Sequence, residues 1–203
     1  YVAVMSTCLA GFMLGFGGLW GVPYLVAKYA LSRPEAAFYA SFVFMGWAIG
    51  APLGGWSADH VGRRKLPMLI ASIIHTVLLF SLFLVPGLPV AVSAILILSA
   101  GVAAGFMVNA FAYAREITNP RVHGAVSGVI NGFTVGSGAI LQPLMGYLLD
   151  LNWDGTMVDG ARIYSMPAYN IAMMTLLAAS VLAVLCASGL RETYCRIQWN
   201  DDD

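Results

Sequence analysis

The chain has 203 residues, of which 60% are hydrophobic and only 10% are charged, and its formal net charge is zero. Soluble domains carry about a quarter charged residues, so this composition excludes an ordinary soluble protein and predicts a membrane protein, and the zero net charge gives no reason to expect a nucleic-acid partner. The cysteines are widely spaced without a Cys-x-x-Cys pair, so we expect no metal site, no cofactor and no disulfide framework from Cys8, Cys186 and Cys195.

Six apolar runs follow one another along the chain, and a run of about 20 residues is long enough to cross the lipid bilayer as a helix. Backbone groups find no water in lipid, so each run must be helical. Ser32, followed by Pro34 and Glu35, predicts a capped start for the second helix. The sequence therefore predicts an all-α membrane protein with transmembrane helices at about 2–30, 34–58, 66–85, 88–113, 122–149 and 166–189, followed by a polar tail at 191–203.

The first predicted helix contains five glycines and Pro23, so it is easily bent or broken. Transporters use such helices where the chain must flex around a solute. Phe16, Trp20 and Tyr24 are four residues apart and would share one face of a regular helix. They indicate either aromatic packing with an interfacial residue or the wall of a solute cavity. We favour the cavity because Trp20 and Tyr24 flank the glycine-rich kink.

A basic connector, residues 55–65, separates the second and third runs and reads Gly-Trp-Ser-Ala-Asp-His-Val-Gly-Arg-Arg-Lys. Its three consecutive cations cannot lie in hydrocarbon, and short cationic loops stay in the cytoplasm. If the N-terminus is also cytoplasmic, Lys28, Arg33 and Arg162 lie outside. The other seven of the ten cations then lie inside, namely Arg63, Arg64, Lys65, Arg115, Arg121, Arg191 and Arg196. The pattern predicts cytoplasmic N- and C-termini.

The third and sixth runs are almost uniformly apolar and suit contact with lipid, apart from His75 in the middle of the third. A membrane histidine can relay protons, but we expect no carboxylate of this chain at its depth, so that is the minor interpretation. The fourth run repeats small residues at Gly101 and Gly105 and then presents Asn109 and Tyr113 at the same spacing. Close helix packing explains the glycines. Asn109 must face either a partner helix or a wet cavity, and both readings stay open.

The fifth run carries two neighbouring patterns. Glycines at four-residue intervals predict an unusually close approach to another helix, at Gly124, Gly128, Gly132 and Gly136. Beside them a polar stripe follows the helical period, formed by Ser127, Asn131, Thr134, Gly138 and Gln142. Hydrogen bonds between helices would explain the stripe, but its continuity over four turns leads us to favour a water-lined surface.

The pattern Gly-x-x-x-Asp-x-x-Gly-Arg-Arg-Lys at 55–65 closely resembles the loop signature of the major facilitator superfamily of secondary transporters. Residues 114–124 also resemble that family's connector between the fourth and fifth helices of a half. Members have two six-helix halves. The arginine usual in the fourth helix of the N-terminal half is absent from 88–113, and the fifth helix lacks the Gly-Pro-x-x-Gly-Gly motif. The resemblance therefore implies one half of a superfamily bundle, namely the C-terminal half, with the N-terminal six-helix half as its missing partner.

The resemblance also leads to an expected function for this chain. It implies alternating-access transport of a small polar solute, coupled to protons by family precedent, across a plasma membrane such as the bacterial inner membrane. In the family the first and fourth helices of each half line the cavity, and the second and fifth meet the other half. The candidate cavity residues offer aromatic faces and neutral hydrogen-bonding groups: Trp20, Tyr24, Asn109, Tyr113, Asn131 and Gln142.

The resemblance also implies that the basic connector acts as a conformational latch, formed by Gly55, Asp59, Gly62, Arg63, Arg64 and Glu116. Asp59 would face the N-terminus of a helix of the other half, where the helix dipole favours a carboxylate. Arg63 would pair with Glu116, and Gly62 would permit the tight turn.

Two other classes stay open. One is a stand-alone six-helix channel or a half-size carrier that dimerises. The other is a membrane-embedded enzyme, which needs clustered His, Asp or Glu within the bilayer. The predicted charge-free helices disfavour an enzyme, and the sequence contains no P-loop, Gly-x-Ser-x-Gly or His-Glu-x-x-His motif.

Overall fold

The computed structural model describes residues 1–158 and 160–199. Within them, six helices are long and apolar enough to cross a membrane: α1 (Val2–Tyr29), α2 (Arg33–Val61), α3 (Lys65–Leu84), α4 (Val90–Glu116), α5 (Pro120–Leu151) and α6 (Met166–Ser188). A short antiparallel β-hairpin, β1 (Met157–Val158) and β2 (Ala161–Arg162), lies between α5 and α6. The fold is thus an all-α membrane bundle with one small hairpin at its edge.

Consecutive helices run in opposite directions, so their connections alternate between two ends of the bundle. At one end the backbone N–H of Gln198 donates to the carbonyl of Glu116 over 2.7 Å. At the other, Lys28 Nζ donates to the carbonyl of Leu82 over 3.0 Å. We call the first end, which carries the α2–α3 and α4–α5 connections, the basic end. The opposite end carries the β-hairpin and is called the hairpin end.

The boundaries of α2 follow from local chemistry. At its start the Ser32 hydroxyl accepts from the Glu35 backbone N–H, and the Glu35 carboxylate accepts from the Ser32 N–H over 2.9 Å. This reciprocal capping box satisfies two otherwise unpaired donors, as the sequence predicted. At the other end Gly62 adopts φ +67°, a left-handed conformation that glycine tolerates without strain, and the helix stops there.

The α2–α4 contact is the closest kind of helix packing. A Cβ at Gly105 would lie 2.6 Å from Ala51 N, and Cβ atoms at Gly46, Gly50 and Gly101 would lie closer still to carbonyl oxygens of the facing helix. The two backbones therefore touch without side chains between them. The expectation of close packing at Gly101 and Gly105 is confirmed, and α2 is the partner.

Helix α1 lies at the centre of the bundle, against α5 and α6. Toward the hairpin end, the ring of Tyr24 lies 5.9 Å from Phe16, 5.8 Å from Phe83 of α3 and 6.2 Å from Tyr169 of α6. These edge-on contacts contribute about 0.5–1.5 kcal/mol per pair beyond the burial of area. The aromatic cluster fixes the C-terminal half of α1 against α3 and α6.

The middle of α1, from Phe12 to Trp20, is π-helical, and the N–H of Gly21 donates to the carbonyl of Phe16 five residues back. Such a segment holds more residues per turn than an α-helix. The sequence correctly predicted an irregular helix here. A common face for Phe16, Trp20 and Tyr24 was wrong, because the wider turns direct Trp20 toward α5 while the other two are buried in the core.

Helix α5 corrects the interpretation of its polar stripe. The hydroxyls of Thr134 and Ser6 are 2.6 Å apart, and Gln142 Nε2 donates to the carbonyl of Leu14 over 2.9 Å. Thr134 is therefore buried in a hydrogen-bonded contact with α1, and Gly138 is buried against Leu14 of the same helix, so neither lines water. The glycine ladder behaves differently: a Cβ at any of its four positions would meet no atom of the described residues within 4 Å. No helix among residues 1–158 and 160–199 makes the predicted close approach there.

We expect Gly50→Ala to destabilise the bundle. The added Cβ would lie 2.7 Å from the carbonyl carbon and 2.8 Å from the Cα of Val102, which are backbone atoms that cannot rotate away. Overpacking of this kind costs about 1–3 kcal/mol. Thermal unfolding of the purified protein in detergent would measure the loss.

Gly55→Ala is the matched control on the same helix, because its Cβ would meet nothing within 4 Å. Equal melting temperatures for the two variants would contradict the backbone-to-backbone contact.

Candidate functional site

The basic connector makes one sharp turn that separates its two arginines. Helix α2 ends at Val61, Gly62 turns in the left-handed region, and α3 begins at Lys65. The side chain of Arg63 is exposed, whereas that of Arg64 turns into the bundle and is only 12% exposed. The turn therefore gives two adjacent cations different environments.

Arg64 is the centre of a compact charge cluster with Asp59, Asn109 and Glu116. Its Nε donates to Glu116 Oε1 over 2.8 Å, and its Nη1 lies 2.8 Å from Asp59 Oδ1. The same Nη1 reaches Asn109 Oδ1 at 3.5 Å. Glu116 is about as buried as Arg64, while the side chain of Asp59 is 66% exposed. One guanidinium thus joins the end of α2 to the end of α4.

The predicted pairing of Arg63 with Glu116 was wrong, because Arg64 makes that ion pair. The physical reason is the left-handed turn at Gly62, which points the first arginine outward and the second inward. Gly55 lies one turn of α2 before Asp59, half-buried, with open space around its Cα.

The described part of the polar tail folds back onto this cluster. We call residues 191–199 the C-terminal strap. The Glu192 carboxylate accepts the backbone N–H groups of Arg64 at 2.7 Å and Lys65 at 3.1 Å, at the start of α3. The Thr193 hydroxyl donates to Glu116 Oε2, and Thr193 is almost fully buried. The strap therefore shares Glu116 with Arg64. Residues 200–203 lie outside the described part of the chain.

The six candidate cavity residues lie in several places. Trp20 and Gln142 are together: Trp20 Nε1 donates to the Gln142 carbonyl over 3.0 Å, and both side chains are half-buried. Tyr24 is fully buried in the aromatic cluster, with its hydroxyl accepting from Lys28 Nζ at 3.0 Å. It fills the interior of the bundle and faces no opening.

The other three candidates lie nearer the basic end. Asn109 is buried and belongs to the charge cluster, where its Nδ2 also donates to the Phe106 carbonyl over 3.2 Å. Tyr113, one turn further along α4, is buried in the apolar core of that end. Asn131 is exposed on α5.

His75 is completely buried beside Phe12, with ring centroids 5.5 Å apart. Neither ring nitrogen has a hydrogen-bond partner among the described residues. Within residues 1–158 and 160–199, no group of three or more His, Cys, Asp or Glu side chains could hold a metal ion.

Comparison with known proteins identifies the family. A sequence profile of the Major Facilitator Superfamily matches residues 2–192, nearly the whole chain. The chain belongs to the major facilitator superfamily. No curated protein sequence matches it significantly.

Solved superfamily structures share the fold. An inward-open structure of the xylose transporter XylE from E. coli superposes with a TM-score of 0.73 at 13% identity, over 94% of this chain and 47% of XylE. The proton:xylose symporter XylE bound to 6-bromo-6-deoxy-D-glucose gives 0.74 at 14% identity, over 95% and 44%. At such low sequence identity, the comparison establishes a shared fold and nothing about the solute. The chain is a multi-pass membrane protein that spans about half the length of these transporters.

Two groups at the basic end, Arg64 and Glu192, have pKa values shifted by their surroundings. Burial would lower the pKa of the Arg64 guanidinium, but the hydrogen bond and charge of Glu116 outweigh it and hold that pKa above its usual value. Burial would raise the pKa of Glu192, but four backbone N–H donors hold it below its usual value. The contribution of Glu192 to strap docking is therefore complete at neutral pH and is lost only as the pH falls through the lowered pKa.

Sequence reasoning missed Glu192 and Thr193 as parts of the site. A signal was present: both residues follow the sixth apolar run directly, at the same end of the bundle as the basic connector. A carboxylate there can reach the unpaired N–H groups at the start of α3, where the helix dipole also favours it.

Glu192→Ala is expected to release the strap and expose Cys195, whose thiol donates to the Ala58 carbonyl over 3.3 Å. Losing hydrogen bonds to a charged acceptor corresponds to about a tenfold or greater rise in the labelling rate of Cys195 by a water-soluble maleimide. Mass spectrometry of the labelled peptides would measure that rate.

Cys8 and Cys186 are buried and act as internal controls, because their labelling would report general unfolding. Glu35→Ala, at the hairpin end, is the matched variant and should leave Cys195 protected. An unchanged labelling rate for Cys195 in Glu192→Ala would contradict the docking role of the carboxylate.

Proposed function

We propose that this chain is the C-terminal half of a secondary transporter that moves a small polar solute by alternating access and is coupled to protons. The superfamily match over residues 2–192 supports a role in membrane transport. The coverage of only 44–47% of XylE supports a missing N-terminal six-helix half as the partner. In this proposal the two halves rock about a site at their interface.

The observation that carries the proposal is the charge cluster around Arg64. It joins the ends of α2 and α4 and the C-terminal strap through hydrogen bonds that can form and break as a unit. A cluster of this kind, at one end of a bundle, suits a latch that is closed in one conformation and open in the other. The exposed carboxylate of Asp59 is the member best able to face the N-terminal half.

The uncovered surface of the bundle supports the missing partner. Helices α2 and α5 are the least buried of the six described helices. Only 28% of the most apolar stretch of α2 and 22% of that of α5 is buried, against 39% or more in the other four. The glycine ladder of α5 is open along its length. A second helix can approach such a ladder closely. We propose that α2 and α5 meet the N-terminal half, with α3 and α6 facing lipid.

The solute cavity is proposed to include Trp20, Asn131 and Gln142, which retain exposed surface. The buried candidates Tyr24 and Tyr113 would support that wall from behind, and Asn109 would connect it to the charge cluster. Aromatic faces and neutral amides suit an uncharged or zwitterionic solute. Every described Asp and Glu lies near a helix end or in a connection, so the proton-coupling carboxylate is assigned to the N-terminal half.

The positive-inside rule assigns the basic end, and with it both termini of the chain, to the cytoplasm. We propose the plasma membrane, in particular a bacterial inner membrane, as the location.

Uptake by the full-length gene product in proteoliposomes with an imposed proton gradient would test this function against a panel of sugars, amino acids and organic acids. For any solute that is transported, Arg64→Gln is expected to lower initial uptake by about tenfold or more, since it leaves the buried Glu116 carboxylate without its cation. Asp59→Asn is expected to reduce uptake without preventing membrane insertion.

Arg63→Gln is the matched control, because Arg63 is exposed and makes no ion pair within the described residues. Uptake that survives Arg64→Gln and Asp59→Asn unchanged would refute the latch. The absence of uptake for every solute, at any gradient, would count against a transporter.

A further inference from the structure

A cavity of about 520 Å³ lies at the hairpin end, between the C-terminal half of α1, the start of α2 and the β-hairpin. Three aromatic side chains, Trp20, Tyr164 and Tyr169, and two cations, Arg33 and Arg162, contribute to its lining. Aliphatic side chains of α1 form most of the remainder. Volumes of about 300–1,000 Å³ with an apolar lining and a few polar groups are typical of small-molecule sites.

The aromatic walls are held in place by contacts to one another and to residues outside the lining. Asp150 Oδ1 accepts from both Tyr164 Oη and Arg162 Nη1, each over 2.7 Å. The ring of Tyr169 meets that of Tyr164 edge-on at 6.1 Å. Trp20 is anchored through its Nε1 to the Gln142 carbonyl. A ligand would therefore meet rings that are already ordered, which lowers the entropic cost of binding.

The two cations of the cavity differ in their partners. Arg162 pairs with Asp150 and stacks on Trp153 at 4.7 Å, so its charge is largely compensated. Arg33 has no acidic partner within ion-pair distance among residues 1–158 and 160–199, and the neighbouring Glu35 is engaged by Ser32. A guanidinium without an acidic partner in the described part of the chain, beside a mostly apolar, aromatic cavity, is complementary to a carboxylate on an apolar body.

We propose that this cavity binds a small organic anion, with its carboxylate at Arg33 and an aromatic or branched apolar body against Trp20, Tyr164 and Tyr169. The cavity lies at the opposite end of the bundle from the Arg64 cluster, so it is a separate site from the latch. Its use as an outer entry site for the transported solute rests on the proposed transport function. Binding itself does not, and can be measured without transport.

Titration calorimetry on the full-length gene product in detergent would compare 3-phenylpropionate with its uncharged amide, 3-phenylpropionamide. The acid is expected to bind about tenfold more tightly, because its carboxylate can form a bidentate ion pair with Arg33, whereas the amide offers only a neutral carbonyl acceptor. Arg33→Gln should remove that preference and leave the affinity for the amide unchanged. Trp20→Leu should weaken both ligands by a similar factor, since both stack against the ring.

Arg121→Gln, at the basic end, is the matched charge control and should change neither affinity. Arg33→Gln leaves the Ser32–Glu35 capping box in place, and an unchanged melting temperature would verify that the variant folds. Equal affinities for acid and amide, or an equal effect of Arg121→Gln, would overturn the proposal. Palmitate that binds more tightly than 3-phenylpropionate would also overturn it, by assigning the cavity to a membrane lipid.

The two proposals fail separately. Solute uptake that depends on Arg64, without selective binding of 3-phenylpropionate, would reject the cavity and keep the transporter. Selective binding that depends on Arg33, in a protein that transports no solute, would keep the cavity and reject the transporter.

Discussion

The ion pair between Arg64 and Glu116 is the interaction on which the basic end depends. It is 2.8 Å long, and both side chains are nearly buried, so little water is available to replace either partner. Removing one member of such a pair costs about 3–5 kcal/mol, because the other is left buried and alone. Through this contact α2, the start of α3, α4 and the C-terminal strap form one structural unit.

The C-terminal strap supplies the remaining hydrogen-bond donors to Glu116. The carbonyl and both carboxylate oxygens of Glu116 are each used, by Gln198 N, Arg64 Nε and Thr193 Oγ1. Lys65 adds a link to α6, because its Nζ donates to the Ser188 carbonyl over 2.7 Å at the end of that helix. Four helix ends are thus tied by a few charged side chains, while the hairpin end combines aromatic packing with the exposed Asp150–Arg162 pair.

The sequence predicts the helices and their local caps better than it predicts contacts between distant residues. Six apolar runs of sufficient length require six helices, and the Ser32 cap and Gly62 turn follow from local chemistry. The choice between Arg63 and Arg64 could not be predicted, because consecutive residues at a turn diverge and the inward one depends on backbone angles. The π-helical segment of α1 and the docking of Glu192 also depend on neighbours distant in the chain.

The glycine contact between α2 and α4 has a mechanical consequence. Asp59 stands at the end of one of these helices and Glu116 at the end of the other, and the two backbones are in direct contact along Gly46, Gly50, Gly101 and Gly105. With no side chains between them, the distance between the two helices is set by backbone atoms. The spacing of the two carboxylates therefore depends on a contact between backbones, and the guanidinium that joins them lies on the short loop between α2 and α3.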